Sequence, residues 1–183
     1  FQLERASLIG FSIGGMINRR FAIDFPHLVQ TLVIFNSPHN RGDVAQELVE
    51  SRARDVRRDG AMATLDSTLK RWFTDDFLES RPDVTALVTA WRQRVDADSY
   101  AATAWVLAHG VRELIRPVPP LTAPTLVMTC ENDTGSTPQM CLDIAAEIYD
   151  AESHIIPRLQ HLGLMQEPDA FAKPMMNFLE RRL

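Results

Sequence analysis

One stretch near the start of the chain, Ala6-Ser7-Leu8-Ile9-Gly10-Phe11-Ser12-Ile13-Gly14-Gly15, indicates a strand that turns sharply into a helix. Ala6–Gly10 lacks polar alternation, which is typical of a buried parallel strand, and a helical pattern follows over Ile13–Phe25. The G-x-S-x-G pattern between them presents a serine at the carboxyl end of a sheet. Ser12 is therefore the candidate nucleophile. The alternative is a glycine-rich turn in which the serine is incidental.

The predicted turn also places Ser12 at the N-terminus of a helix. Backbone N–H groups and the helix dipole favour developing negative charge there. We therefore expect the N–H of Ile13 to act as an oxyanion-hole donor. Gly10 and Gly14 are expected to be glycine because any Cβ at either position would crowd the turn.

The rest of the chain predicts an α/β fold with a mostly parallel sheet, because strand-like and helical patterns alternate. The further predicted strands and helices are Thr31–Phe35, Thr125–Cys130, Ser153–Ile156, Pro138–Tyr149 and Pro168–Leu183. Residues 42–116 contain no convincing strand and have helical patterns throughout. We predict three segments: a core segment over 1–41, an all-helical insertion over 42–116, and a second core segment over 117–183.

A serine hydroxyl is a poor nucleophile without a base, and His161 is the best candidate. It follows the strand Ser153–Ile156 by a short loop, which places it at the carboxyl edge of the sheet, where ligand sites collect. Structural or surface roles are expected for the other histidines, which are His27, His39, His109 and His154.

An acid is needed to orient the imidazole, and we predict Asp133, which lies just past Thr125–Cys130. Glu131 is a competitor, but it is closer to the strand end and precedes the turn. Asp150 follows a helix and points to the wrong edge of the sheet. A turn or capping role for Asp133 is the alternative.

These pieces together resemble the α/β-hydrolase superfamily. The matching stretches are the Ser12 turn, Ala123-Pro124-Thr125-Leu126-Val127-Met128 leading to Asp133, and His161 ahead of Glu167-Pro168-Asp169-Ala170-Phe171. The helical insertion is similar to the cap of 3-oxoadipate enol-lactonases. That likeness rests on Leu69-Lys70-Arg71-Trp72-Phe73-Thr74, Tyr100-Ala101-Ala102, Leu107-Ala108 and Gly135-Ser136-Thr137-Pro138.

The resemblance implies a serine hydrolase that forms an acyl-enzyme on a small ester or carboxylated enol-lactone, with no cofactor and no metal. It implies that Trp72 and Phe11 line the substrate pocket, and Arg41 or Arg71 could bind a substrate carboxylate. The alternative for Trp72 is packing between helices, and the alternative for both arginines is exposure to solvent. A carboxylesterase or another capped hydrolase is one alternative. A truncated relative that binds a small molecule without catalysis is another.

Composition narrows the class of partner. The net charge of −5 argues against nucleic acid and anionic membrane surfaces as partners, and no apolar run is long enough for a membrane span. The two cysteines, Cys130 and Cys141, are too few for a disulfide framework; we expect both to be buried, in a reduced, cytoplasmic protein. Trp91 and Trp105 are expected in the core of the helical insertion.

The resemblance also implies strands before Ala6 and a loop with a second oxyanion donor. We therefore expect either an N-terminal segment missing from this chain or a separate polypeptide that completes the fold. Without it, Ala6–Gly10 would form an open apolar edge, and the chain would be insoluble or would self-associate.

Overall fold

The computed structural model describes residues 3–183, so residues 1 and 2 of the first predicted segment lie outside the described residues. Its sheet has four parallel strands in the order β1-β2-β3-β4. The strands are β1 (Ala6–Phe11), β2 (Val29–Phe35), β3 (Thr125–Cys130) and β4 (Ala151–Ile156). The predicted α/β class and parallel sheet are confirmed.

Nine α-helices connect and cover the strands in the described part of the chain. They are α1 (Ile13–Asp24), α2 (Gly42–Asp59), α3 (Leu65–Trp72), α4 (Asp75–Ser80), α5 (Pro82–Arg94), α6 (Ala97–His109), α7 (Pro138–Ala146), α8 (Gly163–Gln166) and α9 (Pro168–Arg182). Short 3₁₀ turns form at Pro26–Leu28, Ala61–Thr64 and Gly110–Leu114. None of these described helices is both long and apolar enough to cross a bilayer.

Helices cover both faces of the sheet because side chains alternate along each strand. Leu32 and Ile34 of β2 pack in one apolar cluster with residues of α1 and α7. Val33 and Phe35 face the other way and pack with Phe171 and Phe178 of α9. Because all four strands are parallel, their carboxyl ends lie at the same edge of the sheet. The loops that carry the polar side chains follow the strands at this edge.

Strand β1 is less buried than its sequence pattern predicts. It lies at one edge of the sheet and pairs with β2 alone among the described residues. Its Ile9 side chain is 52% exposed. The apolar run predicts the strand correctly, but the strand is not buried as expected. No described element covers its outer edge, the edge that faces away from β2.

Between β2 and β3, the described residues form helices, turns and loops but no strand. Phe73, directly after α3, is fully buried and packs with apolar residues of α3 and α5. The expected burial of Trp91 and Trp105 is wrong, since their side chains are 50% and 52% exposed. The inward face of α5 instead consists of residues four positions apart, Val84, Val88 and Arg92.

Candidate active site

Ser12 lies in the turn between β1 and α1, in a backbone conformation that few residues adopt. Its φ is +54° and its ψ is −115°. Its N–H donates to the carbonyl of Phe35 at 2.8 Å, which ties the turn to the end of β2. A non-glycine residue with positive φ is strained unless its surroundings hold it there. The chain therefore presents the Ser12 hydroxyl on a fixed, strained turn.

The glycines that permit this turn are not the pair expected from the motif. A Cβ at Gly10 would overlap the carbonyl oxygen of Gly14, so Gly10 is required as predicted. A Cβ at Gly14 would meet nothing within 4 Å, so the crowding predicted there is wrong. The second crowded position is Gly15, where a Cβ would lie 2.7 Å from the Cβ of Ser37. The G-x-S-x-G spacing does not reveal this contact because Ser37 is distant in sequence.

Three predicted site residues come together at the carboxyl edge of the sheet. The Nε2 atom of His161 lies 3.1 Å from the Oγ of Ser12. The Nδ1 atom of His161 lies 2.6 Å from the Oδ2 of Asp133. A proton on Nδ1 leaves Nε2 free to accept the hydroxyl proton. The arrangement can therefore activate a serine by general-base catalysis.

Asp133 is almost completely buried, with 2% of its surface exposed. Its second oxygen, Oδ1, accepts hydrogen bonds from the N–H groups of Gly135 at 2.8 Å and Ser136 at 3.0 Å. Burial by itself would raise the pKa of Asp133, but its hydrogen bonds, with that from His161 foremost, hold the pKa below its ordinary value. Asp133 is therefore an anion that can stabilise a protonated imidazole.

Asn36, which is not among the predicted site residues, also holds this carboxylate. Its side-chain amide donates to the Oδ2 of Asp133 at 2.9 Å, the same oxygen that faces His161. Asn36 follows β2 directly, is fully buried and has a φ of +47°, a conformation that asparagine tolerates better than most residues. The sequence does contain one sign of this role: Asn36 is a polar residue directly after the apolar strand β2, and β2 pairs with β3, the strand that leads to Asp133.

The other candidate residues are Ile13, Phe11 and Trp72. Ile13 is the first residue of α1, so its N–H has no acceptor within the helix. The ring centroid of Phe11 lies 4.9 Å from that of His161, and the ring centroid of Trp72 lies 6.3 Å from that of His161. Trp72 lines the cavity at the site, whereas Phe11 is not among its described lining residues.

A cavity of about 220 Å³ opens onto Ser12 and His161. Apolar residues of the helical insertion contribute to its lining, among them Val49, Ala53 and Val56 of α2. Both arginines considered from the sequence, Arg41 and Arg71, line it, together with Arg52, which the sequence did not single out. The volume lies below the range of about 300–1,000 Å³ of most ligand pockets, which indicates a small ligand.

The competing acids and histidines lie elsewhere. Glu131 accepts the N–H of Arg158, and Asp150 is paired with Arg182. The buried His39 places its Nε2 3.2 Å from the Oε1 of Glu147 rather than toward Ser12. No group of His, Cys, Asp and Glu side chains suited to a metal ion occurs within residues 3–183.

Both cysteines are buried and unpaired, as expected. Burial raises the pKa of Cys130 to about 11 and that of Cys141 to about 12. The thiolate is the reactive form of cysteine, so both side chains are unreactive near neutral pH.

Residues 2–173 match the model of a family described as the alpha/beta hydrolase family. Two curated relatives come from Acinetobacter baylyi. The (E)-2-((N-methylformamido)methylene)succinate hydrolase is 24% identical over 178 residues, covering 97% of this chain and 66% of the relative. The 3-oxoadipate enol-lactonase 2 is 24% identical over 171 residues, covering 93% and 62%. The chain thus spans less than two thirds of the length of either relative.

A solved structure of similar shape is the enol-lactonase from Burkholderia xenovorans LB400. It superposes with a TM-score of 0.85 at 26% identity, over 98% of this chain and 67% of that one. The strand order and the helices around the Ser12 turn are therefore those of a known fold.

Proposed function

The chain belongs to the alpha/beta hydrolase family, and from this premise we propose that it supplies the catalytic residues of a serine hydrolase that cleaves a small ester or lactone. The observation that carries the proposal is the continuous line of hydrogen bonds from Ser12 through His161 to Asp133, at 3.1 and 2.6 Å. This order of groups is the one that nucleophilic acyl transfer requires.

In the first half of the reaction, the Nε2 of His161 takes the proton of the Ser12 hydroxyl as Oγ attacks the substrate carbonyl. The resulting oxyanion accepts a hydrogen bond from the N–H of Ile13 at the start of α1. Asp133 stays ionised and stabilises the imidazolium that has formed. Because the Ser12 turn is rigid, the hydroxyl is oriented before the substrate binds.

The tetrahedral intermediate then loses its leaving oxygen, which takes the proton from His161, and an acyl-enzyme remains on Ser12. If the substrate is a lactone, the leaving oxygen stays attached to the acyl group as the ring opens. A water molecule next gives its proton to His161 and attacks the acyl carbon. Collapse of the second intermediate returns the proton to Ser12 and releases the acid.

We propose an enol-lactone like that of the 3-oxoadipate enol-lactonases as the first substrate class to test. Support comes from the named enol-lactonases among the relatives and from the small cavity beside Ser12. In this proposal the helical insertion acts as a cap that excludes water from the reacting bond.

The test is reaction of the protein with a fluorophosphonate probe, combined with turnover of 4-nitrophenyl butyrate and of enol-lactones. We expect labelling of the wild type, no labelling of Ser12→Ala, and lactone turnover faster than ester turnover. Faster ester turnover would identify a carboxylesterase. A folded wild type that neither labels nor turns over any substrate would contradict the proposal and leave a protein that binds without catalysis.

A further inference from the structure

The loop that carries His161 contacts the helical insertion as well as the sheet. The N–H of Leu162, the residue after the base, donates to the carbonyl of Trp72 at 2.9 Å. Trp72 is the last residue of α3. The side chains of Leu162 and Met165 pack against the apolar cluster of the insertion that contains the fully buried Phe73. The backbone next to the base is therefore attached to the insertion.

A second contact between the same two parts of the chain is reciprocal. The side chain of Gln166, the last residue of α8, donates from Nε2 to the Oγ1 of Thr74 at 2.9 Å. Its Oε1 accepts the backbone N–H of Thr74 at 3.3 Å. Both residues are half-buried, and they lie 92 positions apart in the chain. One side chain thus forms both a donor and an acceptor contact with a single residue of the insertion.

The hydroxyl of Thr74 serves this contact rather than the helix that follows it. Thr74 is the N-cap residue of α4, a position where a threonine side chain commonly accepts an N–H of the first helical turn. Here the side chain forms no such cap, and its Oγ1 accepts from Gln166 instead. The local helix therefore goes without a cap that its own sequence could provide.

The loop of the base also lies closely against the end of β3. A Cβ at Gly163 would lie 2.9 Å from the Sγ of Cys130 and 2.7 Å from the Cβ of Leu159. His161 is two residues from both Leu159 and Gly163 in the chain. Its backbone therefore has little room to move toward the sheet, and the hydrogen bonds to the insertion oppose movement away from it.

General-base catalysis requires both ring nitrogens of His161 to be in place at once. Nδ1 lies 2.6 Å from the Oδ2 of Asp133, and Nε2 lies 3.1 Å from the Oγ of Ser12. A hydrogen bond at Nδ1 alone leaves the ring free to turn about that contact, which would carry Nε2 away from the hydroxyl. A fixed backbone at position 161 removes this freedom. Misplacement of a catalytic group by about 1 Å can lower the rate by about 100-fold.

Building on the serine hydrolase activity proposed above, we propose that Gln166 and Thr74 are positioning residues for His161. Their reciprocal hydrogen bonds, together with the bond from Leu162 to Trp72, hold the loop of the base against the insertion. The insertion thus orients the base as well as lining the cavity. Because Trp72 also lines the cavity, a substrate that contacts Trp72 touches one of the residues that hold this loop.

The test is a double-mutant cycle of Gln166→Leu, Thr74→Val and the two combined, with 4-nitrophenyl butyrate as substrate. Complete labelling with the fluorophosphonate counts the folded active sites, so kcat is expressed per labelled site. We expect Gln166→Leu to lower this kcat by about 10-fold, with KM within about 2-fold of the wild type. Thr74→Val keeps the backbone N–H contact and should lower kcat by about 3-fold. The double variant should be no slower than Gln166→Leu, because both substitutions remove the same contact.

Two further variants separate the hydrogen bonds from side-chain packing. Gln166→Glu should restore part of the lost kcat, because a carboxylate still accepts the N–H of Thr74 and the hydroxyl can turn to donate to it. Thr89→Val is the matched control for Thr74→Val. Thr89 is also half-buried in the insertion, but its hydroxyl donates to the carbonyl of Thr85 within α5. This variant should leave kcat per labelled site unchanged.

An unchanged kcat per labelled site in Gln166→Leu would overturn the proposal. Single effects that multiply in the double variant, or an equal loss in Thr89→Val, would overturn it as well.

A wild type that neither labels nor turns over the ester would contradict the serine hydrolase proposal instead. The positioning role is then decided by NMR of the proton between His161 Nδ1 and Asp133, a downfield signal that His161→Gln identifies by its loss. Gln166→Leu should shift or broaden this signal, and Thr89→Val should not. An unchanged signal in Gln166→Leu would overturn the positioning role.

Discussion

The Asp133 carboxylate accepts hydrogen bonds from Asn36, Gly135 and Ser136 and faces the imidazole of His161. Asn36 and His161 contact Oδ2 of this carboxylate, whereas the N–H groups of Gly135 and Ser136 contact Oδ1. The direction in which Asp133 presents Oδ2 to His161 therefore depends on Asn36, which is not among the described residues that line the cavity. Asn36 is a positioning residue in this arrangement.

We expect Asn36→Leu to lower kcat by about 10-fold, the rate equivalent of about 1.4 kcal/mol, with little change in KM. The physical reason is the loss of a charge-assisted hydrogen bond that orients Asp133. Asn132→Ala is the control, because Asn132 lies next to Asp133 in sequence but its side chain donates to the carbonyl of Arg158. Equal effects of the two substitutions, or a change in KM alone, would contradict a positioning role.

Acid should weaken the fold partly through Asp133. Its pKa is below the ordinary value of 3.8 in the folded protein, so in the pH range between the two values the unfolded chain binds more protons. The stabilisation is complete above the ordinary pKa and is lost as the pH falls through the folded pKa. The difference in free energy of unfolding between wild type and Asp133→Asn should therefore be larger near pH 6 than near pH 3. Urea denaturation at each pH, monitored by tryptophan fluorescence, measures this difference. Parallel pH curves would show that Asp133 makes no such contribution.

At the level of elements, the turn from β1 to α1 depends on two close approaches of backbone. A methyl group at Gly10 would overlap the backbone of α1, and one at Gly15 would press on Ser37. We expect Gly10→Ala and Gly15→Ala to lower the free energy of unfolding by about 1–3 kcal/mol, the usual effect of overpacking. Urea denaturation measures this directly.

Gly14→Ala is the matched control for the turn, because the space beside Gly14 is open and the residue lies in a helix. Alanine is the better helix former, so this variant should be as stable as the wild type or more stable by up to about 1 kcal/mol. A loss of stability at Gly14 equal to that at Gly10 would show that the turn, rather than the close contacts, requires glycine.

The strands were predictable because apolar runs are typical of parallel strands, and all four predicted runs are strands in the structure, although β1 and β4 are only partly buried. Their ends differ from the predicted ones by up to two residues, as for β4, which begins at Ala151 rather than Ser153. The insertion was less predictable. Helix α4 is only six residues long and has no fully buried residue, so it is too short to leave a periodic pattern in the sequence.

The candidate site was predictable where chemistry restricts the residue type. A serine in a glycine turn, an acid after β3 and a histidine after β4 follow from the order of the chain. Asn36 and Gly15 could not be predicted in the same way, because their roles depend on contacts across the fold. Trp91 was misjudged because a large apolar residue was assumed to be buried, whereas the adjacent Arg92 takes the inward position and donates to the carbonyl of Ala61.

For the whole molecule, the exposed edge at β1 should govern association of the 183-residue chain. Its Ile9 is half-exposed, and β1 has a pairing partner on one side only among the described residues. Unpaired edge strands with apolar side chains join other strands, and a lysine at such an edge opposes this. We expect the chain to elute as a dimer or larger species and Ile9→Lys to shift it toward the monomer, as measured by size-exclusion chromatography with light scattering.

Leu142→Lys is the control for a general loss of exposed apolar surface, because Leu142 is exposed on α7, which packs on β3 and β4. It should not change the elution of the chain. A wild-type chain that is monomeric and unfolds cooperatively would show that the β1 edge does not drive association.

The hydrogen bond between Ser12 and His161 joins residues 149 positions apart in the chain. Contacts of such separation form slowly, since the entropy of closing a long loop must be overcome before the contact contributes. All four strands are parallel, so each pair of strands can form only after the long segment between them has returned the chain to the same end of the sheet. During refolding, helical circular dichroism should therefore recover before reactivity toward the fluorophosphonate. A newly made chain would pass through its folding intermediates with its serine still inert, and would acquire reactivity only at the last step.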